Sequence, residues 1–205
     1  MGLLSSTVSI TRYRVEGKLK KPVLETMATC LKEHAIPEIE DDISDKTVGW
    51  TSFDRPFNPD FEGSSFVFGT HFVFSLRVDK KSVPSSVVKK HCAMEIARRL
   101  SETKRPYLSR EEKSMVKEDV TGVLSRRIPA TPNVYDLIWN YEDASLWFFS
   151  TLKSANEELE TLFFKSFQIP IIRLFPYTTA DLAIGLSDTK RDVLVRLSPT
   201  LGAKE

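Results

Sequence analysis

Between residues 80 and 127 the chain carries 13 lysines and arginines against 6 acidic residues, although the whole 205-residue sequence has a net charge of only +1. The remainder is net acidic, so the cationic charge is a local property. Eleven of these cations stand on or between two segments with helical spacing: Lys89, Lys90, Arg98 and Arg99, then Lys104 and Arg105, then Arg110, Lys113, Lys117, Arg126 and Arg127. Guanidinium and ammonium groups gathered on one surface neutralise phosphates, and such contacts fix position without reading base sequence. The competing description is two solvated helix faces balanced by Glu95, Glu102, Glu111 and Glu118.

Other chemistries have thinner support. Glu38, Glu40, Asp41, Asp42 and Asp45 could in principle hold a divalent metal for a metal-dependent nuclease, the weakest of the alternative functions. They are contiguous rather than gathered from several strands, and they read as an acidic solvent loop. His34, His71 and His91 lack the i, i+4 pairing of a helical zinc site, and no metal ligand is assigned. The chain has no glycine-rich phosphate loop, no G-x-S-x-G elbow and no Cys/His nucleophile signature, so no catalytic residue is assigned either. Trp50, Trp139 and Trp147 are of a type that stacks on bases, but their apolar neighbours make them core residues first.

The elements that must position these groups follow from apolar spacing. Alternation over residues 6–15 predicts a first strand, and Val23, Leu24, Met27, Ala28 and Leu31 predict a helix opened by Pro22 and closed before Pro37. Val48, Gly49 and Trp50 are read as part of a connection that runs on to Gly63. Residues 65–78 alternate around Gly69, which predicts a hairpin or a long bent strand. Val88, Cys92, Ile96 and Leu100 step by four along a long helix opened by Ser82 and Pro84. Ser109 and Glu112 have the spacing of a capping box, opening a second long helix with Val116, Val120, Val123 and Leu124 as its buried stripe. Two strands over 134–139 and 146–149, a helix from Ser154 through Phe167, and a strand over 169–174 complete the order β-α-β-α-α-β-β-α-β. Helices segregated from antiparallel strands give an α+β class with long amphipathic helices. Residues 1–179 are expected to form one region, either undivided or of two subdomains, with its basic helical part at 80–128. Residues 180–205 are expected to form two weak strands (180–186 and 192–197) and a tail.

Composition restricts the setting. Hydrophobic residues make up 41% and charged residues 28% of the chain, an ordinary globular balance. The two cysteines, Cys30 and Cys92, have no disulfide or metal spacing, and no stretch approaches the roughly 20 apolar residues of a membrane span. The opening 15 residues do not read as a secretory leader. A cytoplasmic protein with no membrane partner is the expectation.

Four segments resemble a known family. Lys81-Ser-Val-Pro-Ser-Ser-Val-Val-Lys89 is similar to the K-x-L-P-x-x-V-(I/V)-K segment of the recombination-associated RdgC proteins. Glu112-Lys-Ser-Met-Val-Lys-Glu-Asp-Val120 resembles that family's E-K-x-x-L-K-(D/E)-(D/E)-V helix. Val48-Gly49-Trp50 resembles its early G-W, and Gln168-Ile-Pro-Ile-Ile-Arg-Leu174 its closing L-P-V-V-P-L strand. Together they cover roughly residues 9–174, one domain's worth of chain. The resemblance implies a bacterial, nucleoid-associated protein that covers double-stranded DNA with little sequence preference, forms a homodimer closing into a ring, and restrains recombinase filaments. It brings no cofactor and no catalytic residue. The chain departs from the pattern at Leu124-Ser-Arg-Arg-Ile-Pro-Ala130, where the family reads L-P-R-A-F-S-R: Ile128 replaces the aromatic and Ala130 the second arginine. Beyond about Thr179 nothing resembles the family's C-terminal region.

Overall fold

A computed structural model describes residues 2–37 and 45–196 of the chain. Alternating β-branched and aromatic residues lay down β1 (Thr11–Val15), β2 (Lys46–Thr51), β3 (Val67–Phe68), β4 (His71–Lys80), β5 (Thr131–Asn140), β6 (Ser145–Phe148) and β7 (Ile171–Leu174). They form one sheet in the order β2-β4-β5-β6-β1-β7, with β3 also paired to β4, and every pairing between these strands is antiparallel. The helices are α1 (Val23–Glu33), α2 (Ser85–Thr103), α3 (Arg110–Ser125), α4 (Lys153–Phe167), α5 (Pro176–Ile184) and α6 (Asp188–Arg196). The fold is α+β, as the segregation of helical and alternating patterns predicts.

β4 and β5 pair along their whole length, from His71 opposite Asn140 to Lys80 opposite Thr131. Side chains alternate between the two faces of a strand. One set, including Phe72, Phe74 and Leu76 of β4, Leu137 and Trp139 of β5 and Tyr13 of β1, joins Met27 and Leu31 of α1 and Leu159, Phe163 and Phe167 of α4 in a single buried cluster. The Trp139 ring stands edge-on to Phe163 and Phe167 at centroid distances of 5.1 and 5.5 Å, a favourable geometry for aromatic quadrupoles. Trp50 donates its indole N–H to the Ser166 hydroxyl at 2.8 Å. The Tyr13 hydroxyl lies 2.7 Å from Asn156 Oδ1 and 2.9 Å from Glu160 Oε1. Burial first, and its hydrogen bond to Glu160 second, hold that phenol above its ordinary ionisation range.

α2 and α3 form a helical arm inserted between β4 and β5, leaving the sheet at the Lys80–Thr131 end. α2, about 28 Å long, has no buried residue, while α3 buries Val116, Leu124 and Ser125. The arm's turn is fixed by the expected capping box: Ser109 Oγ accepts from the Glu112 N–H at 3.2 Å, and the Glu112 carboxylate accepts from the Ser109 N–H at 2.7 Å.

Three expectations need correction. The first strand is shorter than 6–15 and starts at Thr11. Val48, Gly49 and Trp50 are not in a connection but in β2, whose last three residues are buried against β4. The chain leaving α1 runs beside this strand in a parallel bridge of Ala35 with Trp50: Ile36 N–H donates to the Trp50 carbonyl at 2.9 Å and Trp50 N–H to the His34 carbonyl at 2.8 Å. A Cβ at position 49 would lie 2.4 Å from the Ile36 Cα, so glycine is what permits this close approach. The two weak strand candidates at 180–186 and 192–197 fall largely within α5 and α6. Pro176 in the first turn and Gly185 in the left-handed conformation (φ 60°) bracket α5, a helical punctuation that outweighs a short apolar run. Leu197 lies outside the described residues, as do Glu38, Glu40, Asp41 and Asp42 of the acidic stretch.

Two stability measurements follow from this core. Phe163→Ala removes a ring that packs on Trp139 and Phe167, and should lower the free energy of unfolding by about 3–5 kcal/mol, read as a lower urea midpoint with an unchanged slope. Gly49→Ala forces the chain after α1 off β2 and should cost about 1–3 kcal/mol, whereas the same change at Gly122, where a Cβ meets nothing within 4 Å, should not destabilise.

Candidate nucleic-acid interface

All eleven cations singled out in the sequence are on the helical arm or at its ends. Lys89, Lys90, Arg98 and Arg99 are on α2, Lys104 caps its C-terminus in a left-handed conformation, and Arg105 is in the turn. Arg110, Lys113 and Lys117 are on α3, with Arg126 at its C-cap and Arg127 just beyond.

Three of the eleven are already engaged. Arg98 holds Glu95 at 2.7 Å and Glu102 at 2.7 Å, and Arg99 reaches Glu95 at 2.9 Å and Asp119 of α3 at 3.1 Å. The hydrogen bonds from Arg98 and then Arg99 pull the Glu95 carboxyl down to about 2. Arg105 is 2.8 Å from Glu112, whose carboxyl is held low by the Ser109 N–H first and by Arg105 second. Arg99 thus ties α2 to α3 and Arg105 ties the turn to α3, while Arg98 is held within α2. Lys89, Lys90, Lys104, Arg110, Lys113, Lys117, Arg126 and Arg127 are exposed and have no ion-pair partner among the described residues.

Their azimuths divide them further. At 3.6 residues per turn, positions nine apart are about half a turn out of phase, so Lys89 and Arg98 point to opposite sides of α2, and so do Lys90 and Arg99. The α2 quartet therefore does not make one face. Arg110, Lys113 and Lys117 fall within a stripe of about 60° on α3, which does.

A second surface escaped the sequence reading. Helices α1 and α4 fill only one side of the sheet, and the opposite face carries two cross-strand rows. Val73, Ile138, Trp147, Arg12 and Leu174 form one, and His71, Asn140, Ser145, Arg14 and Ile172 form the other. Trp50 and Trp139 are core residues as expected, at 0% and 1% exposure, but Trp147 is 45% exposed. It sits between Leu146 and Phe148, both buried in the core, and the period of two along β6 turns it to the other side. The same alternation in β1, with Tyr13 and Val15 buried, exposes Arg12 and Arg14, and this was the signal available in the sequence.

Among the described residues, no helix is long and apolar enough to cross a membrane and no group of three His, Cys, Asp or Glu side chains could hold a metal ion. No curated protein sequence matches the chain. A family model described as "Putative exonuclease, RdgC" matches residues 9–181, a span that takes in the whole sheet, the helical arm and most of α5. With the fold's sheet, arm and closing strand all inside that match, the chain belongs to the RdgC family.

Proposed function

We propose that this protein binds double-stranded DNA without sequence preference through its helical arm, covering the duplex and so restraining recombinase action. The observation that carries the reading is the set of eight exposed cations on the arm that have no carboxylate partner among the described residues. Guanidinium and ammonium groups in that state release counterions when they meet phosphates, which is the main source of sequence-independent affinity. The family's known association with recombination supports the biological setting, as it does a homodimer acting at the nucleoid in the cytoplasm. The reading includes no catalytic step. The displaced ionisations on the arm and in the core each have a structural cause: ion pairs at Glu95, a helix cap at Glu112, burial at Tyr13 and Cys30.

A protein-interaction role for the same arm is the second reading. Met94, Met115 and Val123 are exposed on it, and Met94 and Val123 line a cleft of about 580 Å³ between α2 and α3. Exposed methionines suit adaptable protein contacts.

Salt dependence separates the two. If the eight unpaired cations each meet a phosphate, log affinity for a random-sequence duplex should fall with log salt at a slope of about −7, measured by fluorescence anisotropy. Replacing Arg110, Lys113 and Lys117 together by alanine should make that slope shallower by about 3. An unchanged slope rejects the α3 stripe as the duplex site, and absence of duplex binding at low salt shifts the arm's role to protein contacts.

A further inference from the structure

We propose that the open face of the sheet is a separate binding site for single-stranded nucleic acid, with Trp147 as the base-stacking platform and Arg12 and Arg14 as the phosphate contacts. This site is distinct from the helical arm and does not rest on the duplex reading.

Two cavities lie on this face. One, of about 440 Å³, is walled by Phe53 and Phe68 and floored by Val73, Ile138 and Trp147. The other, of about 380 Å³, runs past Arg14 and Leu174 to α5. Asp143 and Ser145 line both, so the two adjoin, and together they span β4, β5, β6, β1 and β7. Five strands at their usual spacing make a path about 19 Å wide.

The chemistry along that path is graded. Trp147 lies directly opposite Arg12, and Ser145 directly opposite Arg14. Both arginines are exposed, and neither has an ion-pair or hydrogen-bond partner among the described residues. By contrast, Arg77, further along the same face, is bound to Asp79 and to the Pro56 carbonyl, and its guanidinium lies 5.3 Å from the centre of the Phe57 ring. Asp136 is likewise occupied, accepting from Ser75 and from the Leu3 N–H at 2.7 Å each. The carboxylate in the groove itself, Asp143, accepts from the Asn140 amide at 2.7 Å. Arg12 and Arg14 are therefore the uncommitted charges beside an exposed indole.

This pairing matches a flexible polyanion with planar bases. An unstacked base gains contact with an aromatic ring whatever its identity, while the arginines take the backbone on either side. A duplex, whose bases are already stacked on one another, cannot use the indole platform. An acidic peptide offers the complementary charge but does not require an aromatic platform in register with the arginine.

Tryptophan fluorescence of the full chain tests the assignment, because Trp50 and Trp139 are buried and Trp147 is not. Titration with an oligothymidylate of about eight residues should quench the emission with saturation. Trp147→Phe should abolish the quench yet keep most of the affinity by anisotropy, while Trp147→Ala should lose about tenfold and Arg12→Glu with Arg14→Glu at least as much. These variants should bind duplex as the wild type does, and the Arg110, Lys113 and Lys117 alanine variant should keep its quench by oligothymidylate. The proposal is overturned if wild-type quenching is absent, if Trp147→Phe is quenched like the wild type, if Trp147→Ala and the arginine variant retain wild-type affinity, or if the arm variant loses single-strand binding. Displacement of the fluorescence signal by a Glu-rich peptide but not by the oligonucleotide also overturns it.

Discussion

The edge-on packing of Trp139 against Phe163 and Phe167 decides which side of the sheet is closed. Once α4 is seated there, with Tyr13, Trp50 and Asn156 hydrogen-bonded around it, α1 completes the cover and the apolar side chains of β4, β5, β6 and β1 are consumed on that face. Among the described residues no second pair of helices covers the reverse side. On that side Arg12, Arg14 and Trp147 meet solvent while Val73, Ser75 and Asp136 are buried, and the remaining long helices, α2 and α3, extend from the sheet's end instead of lying across it. Both candidate binding surfaces come from this one-sided filling.

Charge on these surfaces is better judged by commitment than by number. The arm holds most of the chain's local cationic excess, but Arg98 is paired within α2, Arg99 fastens α2 to α3 and Arg105 braces the turn. Such exposed pairs contribute little stability individually. Their larger effect is to remove three arginines from the population that can neutralise phosphate. The sheet face has fewer cations, yet Arg12 and Arg14 are uncommitted and stand next to an aromatic surface, where a single cation has more to offer a nucleic acid than a cation alone on a helix.

Much of this was legible in the sequence where a long pattern and a punctuating residue agreed. The capping box at Ser109, the hairpin alternative around Gly69 and the alternation of Phe72, Phe74 and Leu76 were marked by both pattern and punctuation, and each stands in the structure. Residues 48–50 were misread because the strand's apolar run is too short to show a period and its glycine serves a contact with Ile36 that only tertiary structure reveals. The C-terminal helices were misread because Leu182 and its neighbours suit a strand as readily as a helix until Pro176 and Gly185 are weighed as a pair. For the candidate site, residue type located the arm's cations, but helical phase and carboxylate partners, which need three dimensions, divided them. Trp147 was hidden by the identity of its neighbours, since Leu146 and Phe148 make any residue between them look like core.

The insertion of the arm between β4 and β5 also bears on how the sheet assembles. These two strands form its longest pairing, yet the chain from Lys80 to Thr131 must be traversed before any of their contacts can form. Non-local pairing of this kind slows folding, because the entropy of closing the loop is lost before the contacts compensate it. A helical hairpin is made of local contacts and forms early, and once α2 and α3 lie antiparallel the ends of the insertion are brought together. A segment that contributes little to the finished core thus shortens the effective loop that the core's central strands have to close.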